Sequence, residues 1–136
     1  MSFDIFLIPS TASPPAIQLD REATVAARMA GGVFPPHDVP HTSDGLRFEM
    51  DGGAWHLHDL TPGLCKIVFT AAQRTNAFVT AGGPLIRAHG AHGRIAGKYD
   101  DPISYAATYQ RLCALLEPDL REWQDYAGYV RRKVNP

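Results

Sequence analysis

LRFEMDGGAWHL (46–57) is the stretch from which the architecture is read. Apolar and polar residues alternate on either side of Asp51-Gly52, a pair suited to a two-residue type I′ hairpin turn. With that turn, Phe48 faces Trp55, Leu46 faces Leu57 and Arg47 faces His56. One face then holds Leu46, Phe48, Met50, Trp55 and Leu57, and the other holds Arg47, Glu49, His56 and His58. A one-residue slip would exchange the two faces, so the pattern specifies its own register.

The flanking segments extend the pattern. Thr61-Pro62 opens a helix to about Arg74: threonine caps, and proline at the first helical position lacks an amide hydrogen that would have no partner there. Leu64, Val68 and Ala71 form its apolar stripe. The β-branched run CKIVF (65–69) also suits a strand, but the start signal and the spacing favour helix. NAFVTAGGPLIRA (76–88) supplies a second two-strand unit, with Val79 opposite Ile86 or opposite Leu85 depending on turn length.

Upstream, Phe3 to Ile8 reads as a first strand buried on both faces, ended by Pro9. Leu19, Ala23, Ala26 and Ala30 mark a helix from Leu19 to Ala30, with Asp20 as its cap and Gly31-Gly32 as its stop. Its alanines predict close packing against a sheet. Downstream, Asp101-Pro102 reads as a helix start. Tyr105, Tyr109, Leu112 and Leu116 form one helical face; Leu120, Trp123, Ala127 and Val130 form a second, with Pro118 separating the two helices. Arg131, Arg132 and Lys133 suit the negative end of the last helix.

The expected fold is one α+β domain over residues 1–136, in the order β-α-β-β-α-β-β-α-α. A mainly antiparallel sheet carries a ferredoxin-like (split βαβ) core, with helices on one face and two C-terminal helices beside it.

Composition narrows the function classes. The 136 residues are 45% apolar and 20% charged, with a net charge of −1, so no basic face argues for a nucleic-acid partner. The apolar run at the N-terminus is short and contains Asp4, which gives neither a membrane span nor a secretory leader. A cytoplasmic protein is the expectation. Cys65 and Cys113 both fall among apolar neighbours, which predicts two buried reduced thiols.

Six histidines are the main chemical signal. His56 and His58 alternate on one strand with Glu49 diagonal to them, so His56, His58 and Glu49 form a candidate metal set with open positions. A solvated hairpin face gives the same pattern. His37 and His41 lie in a Pro-rich loop (31–45), and His89, His92, Arg94 and Lys98 in a Gly-rich one (88–102). Either loop could reach the polar hairpin face, and Arg94 and Lys98 could hold an anion. Gly97-Lys98 is no phosphate loop, because His92 stands where the first glycine belongs and Tyr99 replaces the magnesium-holding hydroxyl. No pattern implies a cofactor or names a nucleophile.

The opening MSFDIFLIPS (1–10), the DGG (51–53) before an aromatic strand and the hairpin–helix–hairpin order resemble small bacterial immunity-type proteins of toxin–immunity systems. The resemblance spans roughly half the chain and carries over no individual functional residue. It implies a non-catalytic protein that binds one protein partner. The alternative is a metal-binding protein or hydrolytic enzyme working through the His-rich face and the two long loops.

Overall fold

The computed structural model describes residues 2–51 and 53–134. The order is β1 (Phe3–Ile8), α1 (Ala16–Met29), β2 (Glu49–Asp51), β3 (Ala54–Leu57), α2 (Pro62–Thr75), β4 (Phe78–Thr80), β5 (Ile86–Ala88), β6 (Ser104–Ala106) and α3 (Tyr109–Val134). The strands form one sheet in the order β2-β3-β1-β4-β5-β6. Pairing is antiparallel from β2 to β5, while β6 joins β5 in parallel, so the sheet is mixed.

The core lies on one side of this sheet. Phe3, Ile5, Leu7, Trp55, Leu57, Val79, Ile86 and Ala106 point there and join Ala23, Leu64, Val68, Leu112 and Leu116 in one buried cluster. β1 is therefore not buried on both faces. Its other side alternates Asp4, Phe6 and Ile8, with Phe6 exposed. The run FLI reads as two-sided because apolar Phe6 and Ile8 also stand on the face away from the helices, where Phe6 is exposed and Ile8 half-buried.

α1 begins at Ala16, earlier than its apolar stripe suggests, and Pro15 rather than Asp20 stands at its cap. The stripe itself is buried. Its alanines lie against α2 more than against the sheet, since small side chains let two helix backbones approach closely. α2 matches its signals: the Leu64 amide donates to Thr61 Oγ1 at 3.3 Å, and Asn76 ends the helix in a left-handed conformation at φ 53°. That disposes of the strand reading of CKIVF.

The first hairpin is registered two residues from the expected pairing. Glu49 faces His56, Met50 faces Trp55 and Asp51 faces Ala54. Gly52, assigned above to the turn, lies outside the described residues. A two-residue shift preserves which side chains share a face, so Met50 and Trp55 stay on the apolar side and Glu49 and His56 on the polar one. Arg47 pairs instead with His41, and Phe48 donates its amide to Pro40 O at 3.0 Å, because residues 40–48 make their own tight turn. In the second hairpin Val79 faces Ile86.

The C-terminal third departs most. Tyr105 belongs to β6 rather than to a helix, and Asp101-Pro102 precedes that strand. One helix then runs from Tyr109 to Val134 straight through Pro118. Pro118 is solvent-exposed, whereas Leu116 and Leu120 on either side are buried. The lost backbone hydrogen bond falls where water can replace it, and the packing of the leucines holds the helix together. Cys65 and Cys113 are joined in a disulfide between α2 and α3, Cα atoms 5.5 Å apart, instead of being reduced thiols.

Candidate functional site

The face of β1, β2 and β3 turned away from the helices carries a row of ionisable groups. Register places His56 between Glu49 on β2 and Asp4 on β1. His56 Nδ1 lies 2.7 Å from Asp4 Oδ1. A carboxylate only accepts, so Nδ1 carries the hydrogen of this contact. Ser2 Oγ donates to the same oxygen at 2.6 Å. Burial works against the Asp4 carboxylate, but the Ser2 hydroxyl and the His56 ring outweigh it and hold the carboxyl below its ordinary value.

A groove of about 340 Å³ opens beside the pair, lined by Ser2, Val39, Arg47, Glu49, His56 and His58 among others. Val39 comes from the Pro-rich loop, so that loop is the one that reaches the polar hairpin face. Asp38 on the loop approaches Arg47 at 3.6 Å, an exposed and therefore weak ion pair.

The structure brings Arg47, Glu49, His56 and His58 to one groove but separates the other candidates. His58 sits one residue past β3, with its ring 6.2 Å from that of Trp123, so it borders both this groove and the one beside α3. Among the described residues, no group of three or more His, Cys, Asp or Glu side chains is placed to hold a metal ion. His37 is exposed, and His41 is half-buried, its backbone paired with Val33 and Arg47.

The Gly-rich loop folds under the far half of the sheet instead. Arg87 stacks on Phe78 at 4.5 Å and donates to Ala91 O at 3.0 Å and Gly93 O at 2.5 Å. The His92 amide donates to Asn76 Oδ1 and the Arg94 amide to Thr11 Oγ1, each at 2.9 Å. Those amides are therefore committed within the fold and do not cradle an anion. His89 Nδ1 bonds the Tyr105 hydroxyl, and Lys98 is exposed further along the loop.

A larger groove, about 670 Å³, lies beside the C-terminal half of α3. His58, Trp123, Gln124, Ala127, Val130 and Arg131 line it. Tyr126 and Tyr129 project from the same half-helix at 59% and 51% exposure. On its other flank Asp119 packs against Gly83; burial and the neighbouring Glu122 charge raise its carboxyl above the ordinary value. The helical period of Trp123, Ala127 and Val130 was readable in the sequence, but their lining of a groove with His58 was not. Asp4 was missed as well, because nothing local signals that residues 52 positions apart are cross-strand neighbours.

Comparison with protein-family models, with curated proteins and with solved structures finds no significant match to this chain.

Proposed function

We propose that this chain is a non-catalytic protein-binding module of the immunity type, acting in the bacterial cytoplasm on one protein partner. The observation that carries the reading is the C-terminal half of α3: exposed Tyr126 and Tyr129 beside a groove built from Trp123, Val130 and Arg131. Aromatic residues and arginine are the side chains that concentrate at interface centres. The strand order β2-β3-β1-β4, with α1 and α2 as the connecting helices, supports a ferredoxin-like core as the scaffold.

The test is co-expression with the product of each neighbouring gene in its source genome. Rescue of growth from a toxic neighbour, lost on Tyr126→Ala/Tyr129→Ala while the protein stays folded, is the expected result. Rescue that survives the double substitution moves the binding surface elsewhere, and no toxic neighbour removes the immunity reading.

A second reading has its own support in the Asp4–His56 pair. A carboxylate that orients the imidazole of a groove-lining histidine is the arrangement of a general base. It would serve hydrolysis of a small ester or amide by activating water. Turnover of activated esters that is equal in the native chain and in His56→Gln would remove this reading.

A further inference from the structure

We propose that the Cys65–Cys113 disulfide is a thiol–disulfide exchange site, entered at Cys113 by an external dithiol and left by Cys65. The bond ties the first turn of α2 to the start of α3. Its two sulfurs are unequally placed. Cys65 is 0% exposed, whereas Cys113 is half-buried and lines a groove of about 250 Å³ with Asp59, Glu117 and Arg121. An attacking thiolate arrives through solvent, so the groove admits it to Cys113 Sγ alone.

Cys65 is the suited leaving group. It lies in the first turn of α2, just after the Thr61 cap and Pro62. The positive end of the helix there offsets part of the cost that burial puts on its thiolate. In the first step the external thiolate forms an S–S bond to Cys113 as the Cys65–Cys113 bond breaks, and the electron pair stays on Cys65. The second thiol of the same dithiol then attacks the mixed disulfide and expels Cys113 as a thiolate. Both cysteines take up protons, the reagent ends as its own disulfide, and two electrons have passed to the protein.

Exchange runs in the folded state, because α3 has other anchors. Leu112 and Leu116 are 0% exposed and Leu120 is 6%, so α3 is held to the core by three leucines besides the bond. The reactant class is a small dithiol or a dithiol oxidoreductase, which also reconciles this bond with a reducing cytoplasm.

The experiment uses the full chain, purified in air and oxidised with glutathione disulfide. It is titrated with dithiothreitol at neutral pH without denaturant, quenched by alkylation and read by peptide mass spectrometry and circular dichroism. The expected result is release of two thiols while the spectrum stays native. In single variants, Cys113 in Cys65→Ser should form a glutathione mixed disulfide about tenfold or more faster than Cys65 in Cys113→Ser. Should either variant unfold, limiting glutathione on the native chain reads the same preference from which cysteine is trapped. Equal or reversed reactivity, resistance to reduction until the chain unfolds, or failure of the two thiols to form a disulfide would each overturn the proposal.

Discussion

Gly93 shows how one residue can hold two distant segments together. Its φ is 98°, and a Cβ added there would overlap Ser10 Oγ and lie 2.8 Å from the Ala12 amide nitrogen. Both a left-handed backbone and a close approach require glycine. Gly93→Ala should therefore lower stability by about 2 kcal/mol or more, read from urea denaturation; a loss below half of that would show that the 10–13 segment moves aside. Asp44 works at the same scale. Its carboxylate accepts from Thr42, from Thr61 Oγ1 at 2.9 Å and from the Gly63 amide at 2.9 Å, tying the Pro-rich loop to the start of α2. Burial opposes the charge, but these hydrogen bonds outweigh it and keep the Asp44 carboxyl below its ordinary value. A depressed folded-state value stabilises above the unfolded value and is lost as pH falls through the folded one. Asp44→Asn should cost about 1 kcal/mol at neutral pH and flatten the acid limb of the stability curve. An unchanged acid limb would assign acid sensitivity to other groups, Asp4 first. Of these two residues, the glycine and the acidic residue are visible in the sequence, but their partners are not, since Ser10 and Gly63 lie far along the chain.

Among the elements, those with local punctuation were the legible ones. The Thr61-Pro62 start of α2 and the alternation around β2 and β3 agree with the structure. β6 was not legible, because three residues carry too little period to distinguish a strand from a helical turn, and its parallel partner β5 lies across a long loop. Pro118 misled for a related reason: proline disfavours a helix locally, while Leu116 and Leu120 secure it from outside the local window. The link between α2 and α3 adds to that security. The disulfide spans a sequence separation of 48 residues, and closing such a loop restricts the unfolded chain by about 3–4 kcal/mol. Replacing both Cys65 and Cys113 by alanine should lower unfolding free energy by about that amount, measured by denaturation against the oxidised chain. A change under about 1 kcal/mol would mean that the unfolded chain is already confined without the bond.

At the scale of the molecule, the helices cover one side of the sheet, and the concave regions beside the fold include the Asp4–His56 groove and the larger one beside α3. The exposed tyrosines contribute little to the fold. Tyr126→Ala/Tyr129→Ala should change stability by less than about 0.5 kcal/mol. Binding of the cognate partner should weaken at least tenfold, about 1.4 kcal/mol, in calorimetric titration. A stability loss without a binding loss would assign these rings to packing. The division of information follows from range. By itself the chain determined its α+β class, the faces of the first hairpin, the bounds of α2 and the apolar stripes of its helices. These rest on periodicities of two and 3.6 residues that short segments carry within themselves. Tertiary structure alone decided that Asp4 meets His56, that His58 lies beside Trp123, that the Gly-rich loop is used to brace Arg87, and that Cys65 finds Cys113. Each joins residues separated by loops or whole elements, and no local pattern encodes which distant surface a side chain will meet once the core has closed.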